Sequence, residues 1–336
     1  MSVAVLILTW NAVDASLECL KSVTRQSLAP DHILVVDNAS QDTTVEHICS
    51  QFPDVQVLRN VQNLGFAVGM NVGIKALQEL ATPPDIVVLL NQDTQVAPEW
   101  LQAISAPFAE DAQIGAVGCK LRYPDGTLQH AGAFLEWPRA IAQHVGWHER
   151  DTGQYDQRQE YETMTGAALA LRMAALQEVG LFDPGFSPAY YEDTDLCWRL
   201  RRHGYRIVYE PQAVVTHHES SSIPDAVTRS RYYNRGRLCF VLKTYTFEDI
   251  IGPFAASEQA FIHEHGYSQE ARALRWAYVE TLVHLPEILT ARQSFYPALL
   301  TNEKAQIAAM LMSFKQALTA SLYQRTLILS DAIRSV

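Results

Sequence analysis

Residues 87–96, VVLLNQDTQV, join an apolar run to a short polar group with one carboxylate, and then return to strand-forming residues. An uninterrupted run of Val and Leu predicts a strand that is buried on both faces, as in a parallel sheet covered by helices. The polar group Asn91-Gln92-Asp93 has an ordinary explanation, because Asn and Asp favour turns by bonding to nearby backbone groups. The neighbouring stretches of the chain decide between a simple turn and a site.

Four other stretches share this apolar character, and helical patterns separate them. The strand-like stretches are VAVLILT (3–9), HILVVD (32–37), VQVLRN (55–60) and IGAVGCKL (114–121). The helical patterns lie near 14–26, 42–51, 67–80 and 98–108. This alternation predicts right-handed βαβ units, and therefore an α/β, Rossmann-like fold with a mostly parallel sheet flanked by helices.

The composition is that of a folded protein with one large domain or two ordinary ones. Of the 336 residues, 48% are hydrophobic and 19% are charged, which argues against global disorder. The five cysteines are scattered without a CxxC pair, so we expect neither a zinc site nor a disulfide framework. The sequence shows no signal-peptide pattern and no apolar run as long as a membrane span, which favours a cytoplasmic location.

Charge is distributed unevenly along the chain. The net charge is −11, but residues 1–225 carry 14 Lys or Arg against 28 Asp or Glu, whereas residues 226–336 carry 12 against 9. The acidic N-terminal part, residues 1–225, argues against nucleic-acid binding, which requires a basic patch. After Pro224 the pattern is helical to the end. We therefore predict a ligand-binding and catalytic domain over 1–225 and a C-terminal helical region over 226–336.

Polar side chains follow four of the predicted strands at the point where each strand ends. Ligands of open α/β sheets bind at the carboxyl ends of the strands, so four polar ends on one edge indicate a site. The chain has no GxxxxGK[ST] loop and no GxGxxG after its first strand, which argues against P-loop NTPases and dinucleotide-binding dehydrogenases. A lone carboxylate beside amides suits a divalent cation that takes further ligands from a substrate diphosphate. The four groups are Thr9-Trp10-Asn11, Asp37-Asn38, Asn60 to Asn63 and Asn91-Gln92-Asp93.

A second acidic group lies downstream in AYYEDTDLCWRLRRHG, residues 189–204. Acids at the start of a predicted helix and arginines near its end complement the helix dipole. Asp195 and Arg199 are spaced to form an i,i+4 pair, so we interpret Asp195 as structural. Three carboxylates within four residues exceed what capping requires, which makes Glu192 or Asp193 a candidate general base.

Two later stretches leave alternatives open. The strand pattern at 206–215 leads into His217-His218, and either histidine could ligate a metal or simply end a strand. The stretch RSRYYNRGRLCFVLK, residues 229–243, places four arginines beside two tyrosines. It fits either a solvated helix face or a surface that meets anionic lipid or a lipid-diphosphate acceptor. The helices beyond it could dock on a membrane, form a homo-oligomer or complete the core.

Taken together, these stretches resemble the family 2 glycosyltransferases of the GT-A fold, especially the bacterial branch that includes rhamnosyltransferases and galactofuranosyltransferases. The resemblance covers residues 2–240, and six motifs occur in the family's order. Each motif alone is weak, whereas six in sequence are specific. The motifs are TWN after the first strand, VVDNASQDTT (35–44), NLGFAVGMNVGI (63–74), LLNQDT (89–94), TGAALALR (165–172) and YYEDTDLCWRLRRHGYRI (190–207).

The resemblance implies a nucleotide site at the strand ends, with Asp37 accepting a hydrogen bond from the base. It also implies a Mg²⁺ or Mn²⁺ ion on the diphosphate, held by Asp93 and by His217, or by His218 if the register differs by one. The family's Asp-x-Asp element falls on Asn91-Gln92-Asp93, so an amide replaces its first acid. The implied nucleotide-binding residues are Thr9, Trp10, Asn11, Asp37, Asn38, Asp42, Asn63, Gly65, Asn91 and Gln92.

By the same resemblance, Asp193 is the catalytic base and Glu192 contacts the acceptor or the donor sugar. The implied reaction is a single displacement with inversion, from a nucleotide-diphosphate sugar to a hydroxyl of a glycan or polyprenyl-linked acceptor. A dTDP-rhamnose or UDP-sugar donor is favoured, and the loop at 148–162 is expected to be mobile and to close over the donor. Residues expected to line the donor-sugar and acceptor pocket are Thr165, Gly166, Ala167, Gln129, His130 and Tyr191.

Two rival functions are weighed against this one. A sugar-1-phosphate nucleotidylyltransferase also uses a Rossmann-like sheet and a carboxylate-bound metal, but its first loop should be glycine-rich and basic, and here it reads TWNAVDAS. A silent nucleotide-sugar-binding module would keep the fold without the chemistry. The presence of both Asp93 and Asp193 argues against the silent module.

Overall fold

A computed structural model describes residues 1–219, 223, 225–266 and 268–334 of the chain. The chain divides into two compact units. Two short segments from the N-terminal part of the chain belong to the second unit. The first unit comprises Met1–Leu135, Ala142–Pro188 and Glu192–Ser222, and the second comprises Glu136–Ile141, Ala189–Tyr191 and Ile223–Val336.

The first unit is built on a mixed sheet whose ten strands all lie in the described ranges. The ten strands of this sheet are β1 (Val3–Thr9), β2 (His32–Asp37), β3 (Gln56–Arg59), β4 (Ile86–Asn91), β5 (Thr94–Val96), β6 (Ile114–Arg122), β7 (Leu128–His130), β10 (Gln159–Glu160), β11 (Ala168–Arg172) and β12 (Arg206–His217). Strands β8 (Ala133–Glu136) and β9 (Ile141–His144) form a separate hairpin. The strand order is β10-β12-β6-β11-β4-β1-β2-β3, with β5 paired to β12 and β7 to β6. Strands β1 to β4 run parallel, as predicted, and so do β6 and β12. The antiparallel strand β11 between β4 and β6 was not predicted.

Helices flank this sheet on both faces. They are α1 (Val13–Val23), α2 (Thr44–Gln51), α3 (Gly65–Gln78), α4 (Trp100–Ser105), α5 (Pro107–Glu110), α6 (Met173–Val179) and α7 (Glu192–Arg202). Alternate residues of β1 enter two separate cores: Val5 and Ile7 pack in the cluster that holds residues of α1, and Leu6 packs in the cluster that holds residues of α3. This double burial is what the uninterrupted apolar runs predict.

Helix α3 lies unusually close to the sheet because it carries glycines spaced by four. A Cβ atom at Gly69 would lie 2.7 Å from the Leu8 side chain, and one at Gly73 would lie 2.3 Å from the Leu6 side chain. A larger residue at either position requires the Leu8 or Leu6 side chain to move. These glycines therefore allow close packing of the helix on the sheet.

The segment 148–162, predicted to be a mobile loop, is held by ion pairs to buried partners. Lys120 of β6 is 1% exposed, and its ammonium group pairs with Asp151 at 3.2 Å and with Asp156. Arg158 bonds Glu210 of β12 at 2.7 Å. These ion pairs anchor part of the segment to buried partners in the sheet, and its closure over the donor stays a prediction.

The second unit is helical. Its helices are α8 (Ala226–Thr244), α9 (Phe247–Asp249), α10 (Ala255–His265), α11 (Gln269–Val283), α12 (Leu285–Ala291) and α13 (Thr301–Arg334). Within α8, Arg237 is fully buried and Lys243 is 2% exposed. The expectation that the basic stretch 229–243 faces solvent or lipid is therefore wrong for these two charges, which belong to the interior of the unit. In the described part of the chain, no helix combines the length and apolarity needed to cross a bilayer.

A cluster of buried charged side chains lies inside the second unit. Arg237 donates to both carboxylate oxygens of Glu258, at 2.6 and 3.2 Å, and Arg139 donates to Glu258 at 2.8 Å. The Tyr278 hydroxyl donates to the same carboxylate at 2.6 Å. Burial alone would raise the pKa of Glu258, but Arg237, Arg139 and Tyr278 lower it to about 2. The carboxylate thus stays charged, and its stabilising effect is lost only as the pH falls from its ordinary pKa of 4.5 towards 2.

Glu258→Gln is expected to lower the free energy of unfolding by about 3–5 kcal/mol, because it leaves the Arg237 guanidinium buried without its counter-charge. Urea unfolding at neutral pH measures the change. Glu264→Gln is the matched control, since Glu264 lies on the same helix with its side chain 76% exposed. A loss below about 1 kcal/mol in the Glu258 variant would show that the cluster is not a determinant of stability.

Candidate active site

Gln92 fixes the loop that follows the first strand. Its Oε1 accepts hydrogen bonds from the Thr9 hydroxyl at 2.8 Å and from the Trp10 amide at 2.7 Å. The Thr9 hydroxyl also lies 2.7 Å from the hydroxyl of Ser16 in α1. These bonds join the ends of β1 and β4, so Gln92 shapes the predicted nucleotide site by setting the path of residues 9–11.

The loops after β1 and β2 are tied to each other. The Asn11 amide donates to the Ser40 hydroxyl at 2.8 Å, and Asn11 Oδ1 accepts from the Gln41 amide at 2.7 Å. Asn11 adopts a left-handed conformation with φ of 46°, which Asn tolerates better than most residues. Asp42 accepts from the Thr44 hydroxyl at 2.6 Å at the start of α2. Asn11 and Asp42 thus stabilise the loops after β1 and β2, which border the predicted site.

Asp37 lies beneath the residues that line an open pocket of about 490 Å³, because it bonds two of them, Ser40 and Arg59. Its carboxylate is fully buried, accepts from the Ser40 amide at 3.1 Å and pairs with the Arg59 guanidinium at 3.2 Å. Arg59, at the end of β3, also donates to the Ser40 carbonyl at 2.9 Å. The pocket is lined by Ala39, Ser40, Gln41, Arg59, Asn60 and Val61.

A network of amide side chains borders this pocket. Asn38 donates to the Gly65 carbonyl at 3.1 Å and to Asn63 Oδ1 at 3.3 Å, and it accepts from Asn60 at 2.9 Å. Asn63 in turn accepts from the Gly65 amide at 2.9 Å. The network fixes the turn into α3, which is the NLGFAVG motif of the sequence.

Asp93 and His217 lie side by side. Their Oδ1 and Nε2 atoms are 3.2 Å apart, and both side chains are about nine-tenths buried. On its other side, the His217 ring presents Nδ1 to Gln129 Oε1 at 2.7 Å. Gln129 Nε2 donates to Glu219 at 3.4 Å. His218 is exposed, and its backbone amide donates to the Asp93 carbonyl at 2.9 Å.

The chemistry of this pair fits a divalent cation. A carboxylate only accepts, so the Gln129 amide nitrogen faces Glu219 and the Gln129 oxygen faces His217. His217 Nδ1 therefore carries the hydrogen, and Nε2 faces the Asp93 carboxylate: it donates to the carboxylate when the ring is protonated and presents a lone pair when the ring is neutral. With the neutral ring, the imidazole nitrogen and the carboxylate suit a shared Mg²⁺ or Mn²⁺ ion. Among the described residues no group of three or more His, Cys, Asp and Glu side chains forms a metal site.

Asp193, in the first turn of α7, accepts one backbone hydrogen bond at each oxygen. The Gly166 amide donates to Oδ2 at 2.8 Å and the Thr194 amide donates to Oδ1 at 2.7 Å. Burial raises the pKa of Asp193, and these bonds only partly oppose the shift. A carboxylate with a raised pKa is a stronger base than an exposed one. Asp195 forms the predicted pair with Arg199 at 2.8 Å and is fully buried, which confirms its structural role.

The segment before β11 connects the two acidic groups. Ala167 accepts from the Asn91 amide at 2.9 Å, and its neighbour Gly166 donates to Asp193. The Thr165 hydroxyl accepts from the Ala167 amide at 3.3 Å and so stabilises the turn. The strand end that carries Asp93 and the helix that carries Asp193 thus meet the same three-residue segment.

Two residues predicted to face the sugars are buried. His130 is 1% exposed, and its Nδ1 lies 2.8 Å from His144 Nδ1, so the two rings share one hydrogen. Desolvation and the neighbouring His144 lower the pKa of His130. Tyr191 is 3% exposed and belongs to the second unit. Sugar contact by these two side chains stays a prediction, and their burial counts against it.

Sequence reasoning missed Arg59, His144 and the contact between Gln129 and His217. Arg59 ends a predicted strand at the ligand-binding edge, so its position was a usable signal. His130 ends β7 and His144 ends β9, with β8 between them along the chain, and no sequence pattern predicts that the two rings meet. Gln129 was predicted as a sugar contact, whereas the structure turns its amide oxygen to His217.

Several known proteins are similar to this chain in sequence or in structure. The chain is 32% identical over 200 residues to "Uncharacterized protein y4gI" of Sinorhizobium fredii, which is 56% of this chain but only 21% of that protein. It is 29% identical over 236 residues to "N-acetylglucosaminyl-diphospho-decaprenol L-rhamnosyltransferase" of Mycobacterium tuberculosis, covering 60% of this chain and 71% of that protein. The solved structure of GalNAc-T7 with UDP, GalNAc and Mn²⁺ matches with a TM-score of 0.56 at 16% identity, over 89% of this chain and 58% of that one. At this identity the likeness shows the fold alone, and it confirms the predicted GT-A architecture.

A sequence model of the family described as "Glycosyltransferase like family 2" matches residues 2–233. That range contains every candidate site residue discussed above, including Asp37, Asp93, Asp193 and His217. It also covers well over half of the chain. The chain therefore belongs to glycosyltransferase-like family 2.

Proposed function

We propose that the chain is a metal-dependent, inverting glycosyltransferase that moves a sugar from a nucleotide diphosphate to a hydroxyl group. The supporting observation is the placement of the Asp93–His217 pair and the Asp193 carboxylate around the segment 165–167. The Asp93–His217 pair suits a diphosphate-bound cation, and the Asp193 carboxylate suits removal of a proton. Family membership and the rhamnosyltransferase relative support dTDP-rhamnose or a UDP-sugar as the donor.

In this proposal the nucleotide lies along the carboxyl ends of β1 to β4. The pocket at Asp37 and Arg59 receives the base, with the carboxylate accepting from a base N–H. The loop at Thr9 to Asn11 and the amide network around Asn38 border the nucleoside. Asp93 and His217 would hold Mg²⁺ or Mn²⁺ at the diphosphate, and the cation, when bound, offsets the negative charge that grows on the leaving group.

Asp193 performs the proton transfer. Oδ1 accepts from both the amide and the hydroxyl of Thr194, whereas Oδ2 has a second lone pair beyond its bond to the Gly166 amide, so Oδ2 can accept the proton of the acceptor hydroxyl. As that proton moves to the carboxylate, the acceptor oxygen bonds the anomeric carbon and the bond from this carbon to the diphosphate oxygen breaks. Attack opposite the leaving group inverts the anomeric configuration. In this proposal Glu192, the neighbour of Asp193, contacts the acceptor or the donor sugar.

The acceptor is a glycan or a polyprenyl-linked sugar, by analogy with the relative whose name specifies an N-acetylglucosaminyl-diphospho-decaprenol. Such an acceptor brings the reaction to the inner face of the cell membrane, where cell-surface polysaccharide is assembled. Since Arg237 and Lys243 are buried, any lipid contact in α8 falls to its less buried arginines, including Arg229. A homo-oligomer through the C-terminal helices remains compatible with this proposal.

A donor panel tests the proposal. The full chain is incubated with dTDP-rhamnose, UDP-N-acetylglucosamine, UDP-galactofuranose or GDP-mannose, and nucleoside diphosphate release is measured with and without a polyprenyl-diphospho-N-acetylglucosamine acceptor. We expect one donor to turn over with Mn²⁺ and not with EDTA, and NMR of the product to show an inverted anomeric centre. Release of pyrophosphate would instead indicate a nucleotidylyltransferase, and binding without turnover of any donor would indicate a silent binding module.

A further inference from the structure

Three aromatic side chains of the first unit, Tyr123, Trp147 and His148, form a cluster that we call the aromatic platform. The Tyr123 and His148 rings stack with centroids 5.0 Å apart and 8° between their planes, and the Trp147 ring lies 4.6 Å from that of His148. Trp147 Nε1 also donates to the Tyr123 hydroxyl at 3.1 Å. Trp147 is nevertheless 61% exposed, so most of its indole surface is open to solvent. Exposed aromatic rings that cluster, unlike single ones, mark a binding surface.

The backbone around Trp147 holds the platform in place. Its neighbours Gly146 and His148 both adopt left-handed conformations, with φ of 76° and 60°. A Cβ atom at Gly146 would lie 2.9 Å from the Tyr155 ring and 3.0 Å from the Leu128 side chain, so this turn is tightly packed. The His148 amide donates to the Leu128 carbonyl at 2.8 Å. Rings that are fixed before a ligand arrives lose little conformational entropy on binding it.

Polar side chains connect the platform to the candidate metal pair. The Tyr123 hydroxyl interacts with the side chains of Glu219 and Gln129, and Gln129 in turn bonds His217 at 2.7 Å. The Trp147 N–H donates to the Tyr123 oxygen, so the hydroxyl hydrogen of Tyr123 is free to reach the Glu219 carboxylate, which only accepts. All of these residues belong to the first unit. The platform is therefore continuous with the candidate active site.

We propose that the aromatic platform binds a pyranose ring of the acceptor glycan. A pyranose has an apolar C–H face, which stacks on aromatic rings, and a rim of hydroxyl groups, which donate to carboxylates. Both kinds of partner are present, because Glu219 adjoins the Tyr123 hydroxyl and Asp125 lies close enough to His148 to interact with its charge. The same two carboxylates disfavour an anionic lipid or a phosphate group at this surface.

The exposure of the platform indicates the acceptor rather than the donor. A donor sugar is attached to the diphosphate at the metal pair, where water has to be excluded during transfer. The indole of Trp147 instead faces solvent, where a glycan chain has room to extend beyond the reacting sugar. The inference deepens the proposed function and rests on it only in assigning the bound saccharide to the acceptor.

Saccharide binding in EDTA, without any donor, is the first test. Methyl pyranosides of N-acetylglucosamine, galactose, mannose and rhamnose are titrated into the full chain, and saturation-transfer NMR of the sugar C–H protons gives the dissociation constant. We expect at least one of them to bind, with an affinity about tenfold lower in Trp147→Ala, since one aromatic contact is lost. Trp147→Phe keeps a ring and should recover part of the affinity. Trp137→Ala is the matched control, because Trp137 is 57% exposed and lies outside the platform.

The second test is turnover with a polyprenyl-diphospho-N-acetylglucosamine acceptor. We expect Trp147→Ala to raise the acceptor KM about tenfold and to leave kcat and the donor KM unchanged. Saccharide affinity that is equal in the native chain and Trp147→Ala, or no binding of any methyl pyranoside by the native chain, would overturn the inference. So would a native dimer that dissociates in Trp147→Ala on sedimentation, since the rings would then contact a second copy of the chain. Saccharide binding that depends on Trp147 in a chain that transfers no sugar would support the subsite and contradict the proposed function.

Discussion

Asp193→Asn is expected to lower the rate of sugar transfer by about 10²- to 10⁴-fold, the range that a positioned general base contributes. Asparagine keeps the shape of the side chain but cannot take the proton of the acceptor hydroxyl. Nucleotide binding should be unaffected, because no predicted nucleotide contact involves Asp193. Turnover at saturating donor and acceptor measures the loss, and a nucleotide titration of the same preparation confirms that the site is intact.

The pH dependence of the transfer rate also tests the assignment of Asp193 as the base. Since burial raises the pKa of Asp193, the group remains protonated, and so unable to act as a base, up to a higher pH than an exposed aspartate. The native rate should therefore fall on the acid side with a midpoint above that of ordinary aspartate, and this limb should be absent in Asp193→Asn. Glu192→Gln is the comparison: if it removes the acid limb while Asp193→Asn retains it, the roles of the two carboxylates are exchanged.

The parallel part of the sheet was predictable because a local sequence pattern indicates each of its buried strands. Strands β1, β2 and β4 of the parallel half are nearly continuous apolar runs, as burial on both faces requires, whereas β3 is short and partly exposed. The polar residues at the strand ends followed from the rule that parallel strands end on one edge. Strand β11 was missed because its run, ALALR, is short and its antiparallel place between β4 and β6 depends on contacts distant in sequence.

Side-chain roles were harder to predict than positions. Gln92 was expected at the nucleotide, but its amide holds Thr9 and Trp10, a contact between residues more than 80 positions apart. The arginine-rich stretch at 229–243 suggested a surface, yet Arg237 is neutralised by Glu258 of another helix. Local charge patterns do not reveal such partners, because burial of a charge is decided by tertiary pairing.

Asp93→Asn is expected to abolish the part of nucleotide binding that depends on metal. A diphosphate nucleotide at a hundred times its dissociation constant stabilises the folded native chain by about 2.7 kcal/mol. With Mn²⁺ and the cognate nucleoside diphosphate, the native chain should gain stability of this order over EDTA conditions, and Asp93→Asn should gain almost none. The reason is that an amide keeps the contact with His217 but supplies no negative charge to a divalent cation. Thermal unfolding with each nucleotide, in Mn²⁺, Mg²⁺ and EDTA, measures the difference.

Asp37→Asn separates metal binding from recognition of the base. Asp37 pairs with Arg59, which lines the pocket, so its variant should weaken nucleotide binding equally with and without metal, whereas the Asp93 variant should resemble native protein in EDTA. Loss of transfer should accompany either change, but only the Asp93 variant should respond to higher Mn²⁺. A metal-dependent stabilisation that survives in Asp93→Asn and disappears in His217→Ala would move the metal contact to the histidine. Survival in both variants would place the cation elsewhere, and the lone-pair argument for the Asp93–His217 pair would then be wrong.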